Sequence, residues 1–185
     1  MSEVVRVLGI SGSLRTGSFN TALLRAAIAQ APESVQIDVA RIDDIPAFNE
    51  DVRAQGFPAP VSRLRGQLAA CEALLIVTPE YNYGVPGVLK NAIDWAARPP
   101  SQPFAGKALA IMGASSGAGG TMRAQYHLRQ TAVYLDMHPI NKPEVFVRNA
   151  GGAFDAGGTL TDETTKKLVS QQLDALASWA RKLRG

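Results

Sequence analysis

Short apolar runs rich in β-branched residues alternate along this chain with segments whose apolar positions recur at helical spacing. That alternation restricts the fold more than any other feature. Val4 to Ile10 (VVRVLGI) reads as a buried strand. After a Gly/Ser segment, Leu23, Leu24, Ala27 and Ile28 fall on one helical face, and Pro32 lies just beyond the helix end. Val35 to Ile42 alternates apolar with polar, as a half-exposed strand does. Pro46 to Pro60 reads as a long loop carrying three prolines. Val61 to Cys71 reads as a helix with Leu64 and Leu68 four apart, and Ala73 to Val77 (ALLIV) as the central strand. A helix over Leu89 to Ala97, with Pro86 near its start, leads to a strand at Ala108 to Met112. A helix over Thr121 to Leu135 and a short strand at Val145 to Val147 follow. Gly151 to Gly158 reads as a loop. Thr159 and Asp162 have capping-box spacing before a last helix that buries Val169, Leu173, Leu176, Ala180 and Leu183.

Repeated strand-helix alternation predicts a parallel sheet with helices on both faces. The length of 185 residues and the absence of a linker-like stretch predict one domain over residues 1–185. With 46% hydrophobic residues the chain can bury a sizeable core. Open parallel sheets bind ligands beyond the carboxyl ends of their strands, where the strand order reverses. The loops after the first, third and fourth strands are therefore where chemistry is expected.

The first of these loops runs from Ser11 to Asn20 (SGSLRTGSFN) and ends at a helix N-terminus. Free backbone N–H groups and the positive end of the helix dipole favour an anion there. Ser11, Ser13, Ser18 and Asn20 add neutral donors, and Arg15 adds a forked charged one. The segment lacks the Gly-Lys-Ser/Thr of a nucleoside triphosphate loop, and Gly9, Gly12 and Gly17 lack the dinucleotide spacing. A monophosphate held without metal fits best; the plainer reading is a turn and helix cap. The second loop, Thr78 to Gly87 (TPEYNYGVPG), combines tyrosines, prolines, an acid and an amide. Its stiff backbone and amphipathic rings suit a flat heterocycle, although an ordinary crossover would also use such prolines. The third, Gly113 to Gly120 (GASSGAGG), is small enough for close approach by a ligand; alone it reads as a plain connection.

Other classes are disfavoured. The net charge of +3 is spread along the chain, with no basic run interleaved with aromatics for nucleic acid. No apolar stretch is long enough for a membrane span, and MSEVVRV has no signal-like apolar region. A single cysteine, Cys71, fits a reducing compartment and reads as a small core hydrophobe. One Cys with His127 and His138 does not make a metal site, and Ser115-Ser116 is not a hydrolase elbow. His127 reads as a packing or interface residue, and Trp95 as a core or interface anchor.

Gly12 to Asn20 (G-S-L-R-x-x-S-x-N) together with Pro79 to Trp95 (P-E-Y-N-x-x-x-P-x-x-L-K-N-A-I-D-W) resembles the NADPH-dependent FMN reductase family, within it the bacterial soluble quinone and chromate reductases. Arg123 to Gln130 (R-x-Q-Y-H-L-R-Q) and Asn141 to Glu144 (N-K-P-E) extend the resemblance over nearly the whole chain. The resemblance implies a flavodoxin-like fold with a five-stranded parallel sheet of order 2-1-3-4-5. It implies FMN as cofactor and NAD(P)H as cosubstrate, with Ser13, Arg15, Ser18 and Asn20 at the phosphate and Phe19 in the same loop. Pro79, Glu80, Tyr81 and Asn82 are expected along the isoalloxazine, with Ser115 and Gly117 nearby. It further implies a homotetramer, a dimer of dimers, with Arg123, Tyr126 and Glu144 at an interface, while the single cysteine and the N-terminal sequence favour a cytoplasmic setting. Quinones, chromate or similar acceptors would be reduced in ping-pong fashion with no dedicated catalytic side chain. The alternatives are an electron carrier of the flavodoxin kind, which the pI of about 9.2 does not favour, and a flavin-binding module without turnover.

Overall fold

A computed structural model describes residues 4–185; Met1 to Glu3, the start of the strand-like MSEVVRV stretch, lie outside the described residues. The element order is β1 (Val5–Ser11), α1 (Phe19–Ala29), β2 (Val35–Ala40), α2 (Glu50–Ala54), α3 (Ala59–Ala70), β3 (Ala73–Val77), α4 (Gly87–Ala96), β4 (Ala108–Ala114), α5 (Met122–Tyr134), β5 (His138–Pro139), β6 (Val145–Val147) and α6 (Glu163–Leu183). The strands run in the order β2-β1-β3-β4-β5, all pairs parallel, with β6 also on β4. This is the flavodoxin-like arrangement the resemblance implies.

The pleat sorts the strand residues onto two cores. Val5 and Val7, then Ala73, Leu75 and Val77, then Ala108, Ala110 and Met112 face α1 and α6. Leu8 and Ile10, Leu74 and Ile76, and Leu109 and Ile111 face α3, α4 and α5. Both faces of β3 are covered, which is why ALLIV carries no polar residue. Gly9 faces α1; a Cβ there would lie 2.8 Å from Leu24 Cδ1, so glycine lets the helix seat close to the sheet.

Two sequence expectations need correction, and one strand joins the expected set. The Pro46–Pro60 stretch is not all loop. Asn49 caps α2 by accepting the Asp51 N–H at 2.8 Å, and α3 already starts at Ala59 with Pro60 in its first turn. The prolines mark helix starts here as much as turns, and five residues of α2 are too few to show a period. The cap of α6 is Asp162, whose carboxylate accepts the Thr165 N–H at 2.7 Å; Thr159 lies upstream in the loop. Leu160 is buried and bridges to Phe154, so the chain stays extended past Thr159 before turning into the helix. The fifth position in the sheet is divided between β5, which the sequence pattern did not show, and β6.

Side chains span the interruption between those two short strands. Gln125, buried on α5, donates to the Val145 carbonyl at 3.0 Å. Gln172, buried on α6, donates to the Ile111 and Pro143 carbonyls at 3.2 and 2.8 Å. Arg129 and Trp179 donate to the Ile140 and His138 carbonyls at 2.8 and 3.0 Å. These groups occupy backbone acceptors that an unbroken strand pair would have satisfied. Trp95 is fully buried and, with Asn91, donates to the Pro46 carbonyl, each at 2.8 Å. Much of the L-K-N-A-I-D-W motif thus pins the long loop to α4.

Candidate functional site

The register sets Ser11, Val77 and Met112 side by side at the carboxyl ends of β1, β3 and β4. The three loops that follow therefore meet at one edge of the sheet, over the reversal of strand order between β1 and β3. They enclose a cleft of about 390 Å3 lined by Ser13, Arg15, Ser18, Phe19, Asn20, Pro79, Glu80, Tyr81, Ala114, Ser115 and Ser116.

The loop after β1 is drawn tight against its neighbour. The Gly12 N–H extends the ladder to the Val77 carbonyl at 2.8 Å, and a Cβ on Gly12 would lie 3.0 Å from Leu89 and 3.3 Å from Pro79. Ser18 is the N-cap of α1; its Oγ accepts the N–H groups of Asn20 and Thr21 at 3.2 and 3.4 Å, which leaves the hydroxyl hydrogen to donate. The N–H groups of Thr16, Gly17 and Phe19 donate to nothing among the described residues. The Arg15 guanidinium lies 5.6 Å from the centre of the Phe19 ring and has no carboxylate partner among them. Phe19 in turn stacks on Phe154 at 5.5 Å. A charged fork, two hydroxyls and open N–H groups thus converge where the helix dipole is positive, a donor set that fits a phosphate.

Asn20 plays a different part from the other residues of its motif. Its buried amide donates to the Ala114 carbonyl and accepts the Ala114 N–H, both at 2.9 Å, as a neighbouring strand would. The residue lines the cleft but ties α1 to the end of β4, leaving one amide hydrogen uncommitted.

The loop after β3 forms a tight hairpin. Tyr81 and Gly84 exchange backbone hydrogen bonds at 3.2 and 2.9 Å, and Asn82 and Tyr83 between them have φ of 50° and 66°. Two successive left-handed residues make a turn of the type that asparagine and glycine favour, so Tyr83 at the second position carries strain. The Arg123 guanidinium lies 3.8 Å from the centre of the Tyr83 ring and supports it from below. Glu80 closes the arrangement: its carboxylate takes the Arg123 guanidinium at 2.6 Å and the N–H groups of Arg123 and Ala124 at 2.9 and 3.2 Å. The acid of the motif therefore caps α5, whose own N-cap Thr121 makes no side-chain cap bond. Tyr81 and Tyr83 remain 52% and 66% exposed, an open aromatic rim.

The loop after β4 folds on itself. Ser115 Oγ accepts the Gly117 N–H at 3.1 Å, and the Ser115 N–H donates to the Val147 carbonyl at 3.0 Å. Gly113 beneath it has no room for a side chain, since a Cβ would lie 2.1 Å from Thr121 Oγ1 and 2.3 Å from the Thr78 carbonyl. Of the sequence-expected site residues, nine line the cleft: Ser13, Arg15, Ser18, Phe19, Asn20, Pro79, Glu80, Tyr81 and Ser115. Asn82 and Gly117 lie beside it. Ala114 and Ser116 also line it, although neither is among the expected site residues.

Tyr126 and Glu144 meet within the chain at 3.0 Å, and Lys142 adds a contact to the same carboxylate at 2.7 Å. Lys142 first, and Tyr126 after it, hold the Glu144 carboxyl below its ordinary range. Cys71 is buried, and desolvation pushes its thiol up, as suits a packing residue. Among the described residues no cluster suited to a metal ion occurs. No helix among them is long and apolar enough to cross a membrane.

Known proteins resemble this chain over its length. The family described as NADPH-dependent FMN reductase matches residues 5–152. The chain is 60% identical over 185 residues, the whole of both sequences, to an NAD(P)H-dependent FMN reductase of Pseudomonas aeruginosa. It is 42% identical over 187 residues, again the whole of both, to a quinone reductase of Escherichia coli K12. Among solved structures, the flavoenzyme NAD(P)H:(acceptor) oxidoreductase FerB of Paracoccus denitrificans matches with a TM-score of 0.88 at 35% identity, over 97% of this chain and 98% of that one.

Proposed function

The chain belongs to the NADPH-dependent FMN reductase family, and from that premise we propose that it holds FMN non-covalently and reduces quinone-type acceptors at the expense of NAD(P)H. The observation that carries the reading is the Arg15 guanidinium, without a carboxylate partner among the described residues, beside the hydroxyls of Ser13 and Ser18 and the open N–H groups of a helix start. Those groups would take the ribityl phosphate. Pro79, Glu80, Tyr81 and the neighbouring Asn82 would line one side of the isoalloxazine, with Ser115 and Gly117 near its other end.

Bound FMN would supply a two-electron store that takes hydride from the nicotinamide and returns electrons to the acceptor. The protein's own residues bind, orient and leave access. Among the described residues Glu80 is the only carboxylate lining the cleft, and it is engaged with α5 rather than free to act as general base. The open side between the tyrosine rim and the phosphate loop suits planar acceptors, with chromate and similar oxidants as further substrates. Donor and acceptor would use that side in turn, giving ping-pong kinetics. The chain acts as one cytoplasmic domain, assembled as a tetramer in which Arg123, Tyr126 and Glu144 lie near a subunit contact. Exposed Tyr126, Val133 and Tyr134 along α5 support that placement.

The test is anaerobic mixing of the flavin-loaded protein with NAD(P)H. Bleaching of the bound flavin, and return of its colour with a benzoquinone, is expected. A flavin that NAD(P)H leaves oxidised would replace the reductase reading with that of an electron carrier.

A further inference from the structure

The flavin cleft is not the largest on the molecule. A separate cleft of about 610 Å3 opens between α1, the loop at Gly157–Leu160 and the start of α6. Ala22, Ala26 and Ala29 form a strip along one face of α1, and Gly157, Gly158 and Leu160 stand opposite. The walls are therefore built mostly from small apolar groups, with Gln30 and Thr159 as neutral polar lining residues. Among the described residues the charged lining groups are Arg25 and Lys166, both cationic, and no carboxylate lines the cleft.

The cations are placed to receive an anion. Arg25 has no hydrogen-bonding or ion-pair partner among the described residues. Its Nη2 reaches over Gly158: a Cβ there would lie 3.2 Å from it, and Gly158 has a φ of +79°, where a side chain would also be strained. The acid of this loop, Asp155, is turned into the loop and accepts the Thr159 N–H at 2.8 Å. Lys166 is held by Glu163 in an exposed pair one helical turn away, an attachment weak enough for a ligand to displace.

The cleft is distinct from the flavin site. The two share no lining residue. Along α1 the second cleft runs from Ala22 to Gln30, so it begins four residues, about 6 Å, beyond the cap Ser18 and extends away from it.

We propose that this cleft is a second ligand site and that it takes a small planar organic anion, an aromatic carboxylate. The ring would lie between the alanine strip and the glycine loop, and the carboxylate would meet the planar fork of Arg25 with Lys166 alongside. Apolar walls with a few placed polar groups are the usual form of a small-molecule pocket, and the volume lies within the usual range.

The test uses FMN-saturated protein, 2-naphthoate as probe and ligand-detected NMR with calorimetry. Binding of 2-naphthoate is expected, with 2-naphthamide weaker by about tenfold or more because it lacks the charge. Arg25→Gln should weaken 2-naphthoate by a similar factor, and Ala26→Leu, which fills the slot, should weaken both probes. Neither variant should change flavin content or NAD(P)H oxidation, since neither residue lines the flavin cleft. Absence of 2-naphthoate binding at millimolar concentration would overturn the proposal. So would equal binding of acid and amide, or unchanged affinity in both variants, which would place the probe elsewhere.

Discussion

Arg15 and Glu80 are both charged residues at the cleft proposed to hold the flavin, yet they face opposite tasks. Arg15 has no carboxylate partner among the described residues, whereas Glu80 is satisfied by three donors on α5. Arg15→Ala is expected to weaken FMN by about 1.5–3 kcal/mol, the range for a hydrogen bond to a charged group. The unfolding midpoint should hardly move. Titration of apo-protein checks this, and riboflavin, which lacks the phosphate, should bind weakly and equally to both proteins. Glu80→Ala should instead lower stability, by about 1–3 kcal/mol, because it uncaps α5 and frees Arg123 from beneath Tyr83. Urea unfolding would measure that loss. Glu144 supplies a pH signature. Its folded carboxyl titrates below its ordinary value of 4.5, so its contribution to stability is complete above that value and is lost as pH falls through the folded one. Stability of the parent and of Glu144→Gln, followed against pH, should therefore converge on acidification.

At the scale of elements, the motif residues divide into those that face the cleft and those that hold its walls. Asn20, Asn91, Trp95 and Gln125 belong wholly or partly to the second group, each hydrogen-bonded to main chain of another segment. A sequence pattern cannot separate the two, since both kinds of residue are demanded by the same few positions. Asn20→Ala would leave the Ala114 N–H without its side-chain acceptor in a buried place. We expect a loss of about 1–3 kcal/mol in stability, together with weaker FMN binding as the ends of α1 and β4 loosen. Paired urea and FMN titrations distinguish this from Arg15→Ala, where only binding changes. The same reasoning applies to Gly113, where even a methyl group meets the Thr78 backbone. Gly113→Ala should cost about 3 kcal/mol or more, visible as a large drop in thermal midpoint.

For the whole molecule, the open tyrosine rim and the exposed face of α5 lie on neighbouring parts of one surface, linked by Arg123. Assembly there would cover apolar surface that a lone chain leaves in water. Light scattering at micromolar concentration should report a tetramer, and Tyr126→Asp combined with Val133→Asp should shift it to smaller species. Initial rates at several acceptor concentrations should give parallel double-reciprocal lines, and excess acceptor should compete with NAD(P)H. Intersecting lines would require a ternary complex and separate docking places.

The order of apolar periods along the chain was sufficient to determine the class of fold, because period two and period 3.6 can each bury an apolar face in only one kind of element. It also pointed to the Ser11–Asn20 loop as the candidate anion site, since serines and one Arg before a helix start supply donors at the positive end of the helix dipole. Tertiary structure alone decided the rest. The divided fifth strand rests on Gln125, Gln172, Arg129 and Trp179, whose partners are remote in sequence. The commitment of Asn20 to Ala114 and of Glu80 to α5 likewise spans 94 and 43–44 residues. The cleft beside Arg25 has no sequence signature, because it consists of alanines and glycines that matter only by facing one another. Local pattern reports which face a residue must bury; what it meets there depends on chain that arrives from elsewhere.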